Sequence, residues 1–265
     1  MANKSVPAKK VLNSFQPAIT SDMVNKLQLT PEPGAKISGL QDGSVAAWRS
    51  PQLMIVFEDG DLHSARQHLL DSLQNPFAEG AVATVLVQES VRDQFVGLVA
   101  QNLKRLESQV ASHPSYIRTL AQIELLKANV IKANGDVDVP ANASPLLVSD
   151  FISSYLGQQG PTGAITLHTF RTAREATQVN LKESVPYTRV SIWNEKLACA
   201  YEVLGHLAVD IFTINCFNPD LSPIRQAFVD NRNDVCLVKG YHYETLTINS
   251  KRRIIVFPVG TMFAN

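Results

Sequence analysis

The sequence is short of most features that assign a protein to a class at a glance. Three cysteines, Cys199, Cys216 and Cys236, are spread through 265 residues. An odd number at wide spacing forms neither a disulfide framework nor a Cys-x-x-Cys metal knuckle. Reduced thiols acting as small apolar side chains fit a reducing compartment, and the expected localisation is cytoplasmic or nuclear. No apolar run approaches the about 18 residues of a membrane span. The start, MANKSVPAKK, has no apolar stretch of the secretory kind and does not open Met-Gly, so neither a signal peptide nor a myristoylation site is expected. Lys and Arg together number 24 and Asp and Glu 24, so no net field draws the chain to nucleic acid or anionic lipid. The six histidines do not assemble into a ligand set: His63 and His68 are five apart on one helical stretch, and His242 sits among aromatics in GYHYE. No metal is expected. Gly-x-Ser-x-Gly, a Walker loop and an EF-hand loop are all missing.

What is there is a repeated change of period. Residues 1–35, with Lys4, Lys9, Lys10 and the breaker cluster Pro-Glu-Pro-Gly at 31–34, read as an arm without a core pattern. QLMIVFE (52–58) is a short continuous apolar run, as in a strand covered on both faces. DLHSARQHLLDSLQ (61–74) places Leu62, Ala65, Leu69, Leu70 and Leu73 on one helical face, with Asp61 as its cap. AVATVLV (81–87) is a second buried strand. The spacing of Val91, Phe95, Leu98, Val99, Leu103, Leu106 and Val110 predicts one long helix over 89–110.

A helix in YIRTLAQIELLKAN and a turn at Asn134-Gly135 follow, then strands at PLLVS and 163–170. A helix TAREATQVNLKE, a strand RVSIW, a helix EKLACAYEVLGHL and a strand VDIFTIN complete the alternation. Strands at about 53–57, 82–87, 164–169, 189–193 and 210–215 imply βαβ units in a mostly parallel sheet flanked by helices, an α/β fold. After about residue 216 the regular alternation stops, leaving a β-rich tail at 235–260. There two runs, separated by Asn-Ser-Lys-Arg, read as a hairpin or a pair of edge strands, Pro258 favouring an edge. The Lys-Arg-Arg at 251–253 reads as a charged hairpin tip.

The order and spelling of these elements resemble the catalytic domain of the aldehyde dehydrogenase superfamily. RSPQLMIVFEDGDLHSA (49–65) is similar to that family's Lys-Ser-Pro stretch, and VLVQESVRDQFV (85–96) to the strand and helix after its nucleophile. QGPTGAITLHTF and the segments through IFTINCFN are similar to its later Gly-Pro, Tyr-Gly-Leu and Ile-Asn segments. The chain also resembles a small insect family of unknown function grouped with those enzymes. The resemblance implies an aldehyde dehydrogenase-like domain over 36–265, following the arm.

The functional positions carry over one by one. The family's general-base glutamate falls on Val45, in VAAWRSP, and a valine takes no proton; Trp48 stands in place of a glycine. The nucleophilic cysteine's place falls at Glu79, between Ala78 and Gly80, in NPFAEGAVAT, which has no thiol. The glutamate that holds the nicotinamide ribose falls on Gly157, and Tyr-Gly-Leu reads Tyr187-Thr188-Arg189. The family's cofactor domain precedes its catalytic domain, and here about 35 residues without a Gly-rich turn stand there. No cofactor is therefore expected.

These readings imply a non-catalytic interaction protein, self-associating as a homodimer. Two alternatives stay open: an enzyme with a relocated site using Glu79 or Cys216, and a regulatory subunit of a full-length relative. Isolated, Glu79 reads as an exposed loop carboxylate and Cys216 as a buried structural thiol. In the resembled family the C-terminal strand joins subunits, so KRRIIVFPVG, carrying Ile254, Ile255, Val256, Phe257 and Val259, is expected to pair with a second subunit. The competing reading packs it onto its own sheet.

Overall fold

A computed structural model describes residues 49–134, 139–157 and 160–260. The expected arm at 1–35, Val45, Trp48 and the Gly135 half of the expected turn lie outside the described residues. Among the described residues ten strands form one sheet: β1 (Gln52–Val56), β2 (Val82–Gln88), β3 (Asn129–Val130), β4 (Leu146–Ser149), β5 (Ala164–Phe170), β6 (Arg189–Trp193), β7 (Ile211–Ile214), β8 (Asp234–Val238), β9 (Tyr241–Ile248) and β10 (Lys251–Pro258). Their order is β3-β4-β5-β2-β1-β6-β7-β10-β9-β8. From β4 to β10 neighbours run parallel; β3 at one end and β9 and β8 at the other run antiparallel. The fold is the expected α/β architecture with an antiparallel C-terminal tail.

Strand β1 shows why the sheet holds together. All five of its residues are buried. Leu53 and Ile55 enter the core on one face, and Met54 and Val56 enter the core on the other. A strand covered on both faces must be apolar throughout, which is why its sequence shows no alternation. Helix α1 (Leu62–Gln74) lies on the Met54 face, its start fixed by Asp61, whose carboxylate accepts from the His63 and Ser64 N–H groups. Helix α2 (Arg92–Ala100) packs on the same face through Phe95 and Val99. Helices α3 (Ser108–Ala111) and α4 (Pro114–Leu126) cover the β4 end, burying Val110, Tyr116 and Ile123. Helices α5 (Ala173–Asn180) and α6 (Leu197–His206) cover the Leu53 face. Helix α7 (Ser222–Val229) packs on β10 with Ile254 and Val256.

Three expectations need correction. The long helix over 89–110 is a 3₁₀ turn at Glu89–Val91, then α2, then irregular chain before α3. The backbone breaks away because its hydrogen bonds are taken by other segments: Ala100 O accepts from Asn134 N, and Leu106 N donates to Ala143 O. Leu103 and Leu106 stay buried without a helix. Secondly, α7 falls where no regular element was expected; Pro223 near its start and the Ile224, Ala227 pair on its inner face carried that signal.

Thirdly, β10 is not an edge. Its residues 254–256 pair with β7 and its whole length with β9. Pro258 closes the strand beyond the residues paired with β7, where its missing N–H costs that ladder nothing. The β9–β10 turn is Asn249-Ser250, both at positive φ (51° and 61°), as a two-residue hairpin turn demands. The C-terminal run thus packs onto its own sheet, and among the described residues the edge at that end of the sheet is β8.

Candidate functional site

The loop joining α1 to β2 carries Glu79, and short local bonds shape it. Ala78 N donates to Asn75 O, Ala81 N to Ala78 O, and Gly80 N to Arg49 O. Gly80 takes φ 72°, a left-handed conformation that suits glycine. Phe77 anchors the loop by stacking on His113 at 3.8 Å between ring centroids. Glu79 itself is exposed, and no described residue donates to its carboxylate.

Beside it lies a small open pocket of about 110 Å³, whose lining includes His68, Asp71, Glu79, Phe217 and Asn218. His68 is a core residue of α1, 3% exposed. Its Nε2 donates to Gln52 Oε1 at 3.0 Å and its ring stacks on Phe217, while Nδ1 has no partner among the described residues. Burial lowers its pKa from 6.5 to about 4, so the ring is neutral at physiological pH.

Cys216 sits elsewhere, in the core under α7. It is 7% exposed, its thiol faces Val256 O at 3.7 Å, and burial pushes its pKa up to about 12. It does not line the pocket with Glu79. Gly157 lies against Thr162: a Cβ there would meet the Thr162 methyl at 2.8 Å, so a glutamate side chain fits only if Thr162 moves. Among the described residues no group of three or more His, Cys, Asp or Glu is placed to hold a metal ion.

Sequence reasoning missed a buried polar cluster centred on Glu183. Three residues beyond α5, the Glu183 side chain is fully buried. It accepts four hydrogen bonds: from Ser153 N (3.0 Å) and Ser153 Oγ (2.5 Å) on one oxygen, and from His168 Nε2 (2.6 Å) and Thr166 Oγ1 (3.2 Å) on the other. Thr166 continues to Thr84 Oγ1, which accepts from the Tyr187 hydroxyl at 2.6 Å. Burial alone would raise the Glu183 pKa, but the bonds from His168 and Ser153 outweigh it and hold the carboxyl below its ordinary value. The cluster ties the β4–β5 crossover, where Ser153 lies, to the sheet. None of its members lines the pocket.

The charged tip of the β9–β10 hairpin is also committed. Asn249 Nδ2 donates to Gly205 O, Lys251 Nζ to Ala208 O, and the Arg253 guanidinium to Leu204 O. These are carbonyls at the C-terminal end of α6 and just beyond it, where cations and donors are favoured. Among the described residues no helix is long and apolar enough to cross a membrane.

Residues 47–263 match a family model described as a protein of unknown function (DUF1487). No curated protein matches the sequence. Among solved structures, a protein described as an aldehyde dehydrogenase from Burkholderia cenocepacia is similar at 20% identity and TM-score 0.50, covering 65% of this chain and 40% of that one. A double mutant of betaine aldehyde dehydrogenase from Staphylococcus aureus, in complex with NAD+, is similar at 18% identity and TM-score 0.51, covering 66% and 39%. The chain therefore spans about 40% of the length of these structures. At such identity the likeness is one of fold.

Proposed function

The chain belongs to the DUF1487 family, and we propose that it is a non-catalytic protein of aldehyde dehydrogenase-like fold that acts through protein–protein contacts, as a homodimer. We read that family as the small insect group the sequence resembles. The observation that carries the proposal is the state of the thiols. Burial, as the largest cause, raises the pKa of Cys199, of Cys216 and of Cys236. Attack on an aldehyde needs a thiolate, and none of the three is armed near neutral pH. Glu79, where the resemblance to aldehyde dehydrogenases puts the nucleophile, is a solvated carboxylate beside a neutral imidazole. The Gly157 site favours no side chain that would reach a ribose.

Self-association is supported by the outer edge of β8, which no other described strand pairs with. A reducing compartment suits three free thiols. Titration calorimetry with NAD+ and NADP+, together with aldehyde oxidation assays, tests the non-catalytic reading. The expected result is no saturable binding below millimolar concentration and no nucleotide reduction. Saturable binding, or turnover abolished by Cys216→Ser, would overturn it. Light scattering at several concentrations tests the dimer.

A further inference from the structure

The outer edge of the sheet is built to receive a copy of itself. Strand β8 has five residues, Asp-Val-Cys-Leu-Val, and among the described residues only β9 pairs with it. The β8–β9 turn is Lys239-Gly240, both at positive φ (51° and 81°). In such a two-residue hairpin the closing pair, Val238 and Tyr241, is hydrogen-bonded, and pairs alternate from there. Val235 and Leu237 therefore turn their N–H and C=O groups outward. The local bonds agree: Asp234 N is used inward on Thr245 Oγ1, whereas Val235 N is met only by the neighbouring Asp234 carboxylate, at 2.9 Å. The two residues with outward backbone groups also carry exposed apolar side chains, Val235 at 59% and Leu237 at 68%. An unpaired edge with apolar side chains is a template for another strand.

We infer that two copies of the chain join their β8 strands antiparallel about a two-fold axis through Cys236, so that the two sheets become continuous. The inference rests on the self-association part of the proposed function. This register alone pairs all five residues. Val235 of each copy then faces Leu237 of the other in a hydrogen-bonded pair, which satisfies every outward group of the strand. The four apolar side chains form one cluster on the face that carries the His242–Phe257 stack, since Leu237 is in register with His242 and His242 with Phe257. Asp234 of each copy lies opposite Val238 and beside Lys239 of the other, a complementary arrangement of charge at both ends. The Asp234 carboxylate exchanges its bond to the Val235 N–H for that lysine. Centring the axis on Val235 or Leu237 instead leaves residues of the strand overhanging.

The register has a direct readout. Cys236 faces its own copy across a non-hydrogen-bonded pair, where Cα atoms are about 4.5 Å apart, within the range a disulfide spans. Mild oxidation of the full chain, with copper phenanthroline removing two electrons and two protons from the thiol pair, is expected to give a covalent dimer that dithiothreitol reverses. Cys236→Ser should abolish it, and Cys199→Ser should not. Separately, the double variant Val235→Lys, Leu237→Lys is expected to sediment as a monomer where the parent is a dimer, with unchanged circular dichroism because both side chains are already exposed. A dimer that survives the double variant and does not cross-link through Cys236 would overturn this interface while leaving the non-catalytic homodimer standing. A parent that stays monomeric at high micromolar concentration would overturn both this interface and the homodimer, but not the non-catalytic reading.

Discussion

The two faces of the sheet bury polar side chains in opposite ways. On the face covered by α5 and α6, Glu183 keeps its charge because four donors converge on it. On the face covered by α1, His68 has one hydrogen-bond partner and a bare Nδ1, and burial keeps it neutral. Burial alone does not fix the protonation state; the number of partners does. Neither group resembles a working acid or base. Glu183 is saturated by its donors, and His68 has lost its affinity for protons in the physiological range. The contrast can be broken at four points of decreasing weight.

Removing Glu183 should cost most. Glu183→Ala leaves the Ser153 and Thr166 donors and His168 unpaired inside the protein, and breaking such a buried set costs about 3–5 kcal/mol. Chemical denaturation at pH 7 measures it. A loss below about 1 kcal/mol would mean that the crossover holds without the carboxylate. The native pKa of Glu183 is depressed, so its contribution is complete above the ordinary carboxylate pKa and is lost as pH falls through the lower native value.

His68 should show itself in a different window. Its folded pKa, about 4, lies below the ordinary 6.5, so the unfolded chain binds a proton first as pH falls. Stability is then lost between about pH 6.5 and 4, by on the order of 3 kcal/mol in total. Asp71 and Glu79, the carboxylates lining the same pocket, moderate that loss if they come near the ring. His68→Gln is expected to flatten the stability profile over this window, whatever it costs at pH 7. A variant that keeps the parent's slope would show that another group is responsible.

Much of the α1 face was legible in the sequence, and much of the opposite face was not. The run of β1, the period of α1 and the cap at Asp61 are local signals, and local chemistry decides them. Glu183 lies just past a polar helix and looks solvated on any periodic reading; its partners come from residues 15 to 30 positions away and no spacing rule joins them. The end of α2 was hidden for the same reason. Leu103 and Leu106 continue the helical period, but Asn134 and Ala143, far along the chain, claim the backbone. Strand β10 read as an edge because Pro258 is visible in sequence and the β7 ladder is not. For the site, Glu79 was legible as exposed because a Glu-Gly pair in a breaker-rich loop has few ways to be buried.

Asp61 tests how much of α1 is local. Its carboxylate accepts from two backbone N–H groups and from the Ser64 hydroxyl, so Asp61→Ala should cost about 1 kcal/mol. Asp61→Asn, which still accepts, should cost less. Thermal melts of the pair at pH 7 separate a cap from a charge effect. Equal losses would assign the effect to the charge at the helix N-terminus instead.

The smallest effect is expected at Glu79, the position expected from the sequence resemblance to stand in place of a nucleophile. Its side chain is exposed, lies in a loop held by backbone bonds and by Phe77, and receives no donor from any described residue. Surface substitutions of this kind stay within about 0.5 kcal/mol. Glu79→Gln should therefore leave the denaturation midpoint at pH 7 where it was, and the pH profile set by Glu183 and His68 unchanged. A midpoint shift worth more than about 1 kcal/mol would mean that the carboxylate has a partner, and the pocket beside His68 would be the first place to look for it. A change in the pH profile alone would mean that Glu79 and His68 titrate together, which would return this loop to the list of candidate acid–base sites. With neither, the loop is a solvated turn on a shell whose polar investment lies on the other face, in the four bonds to Glu183.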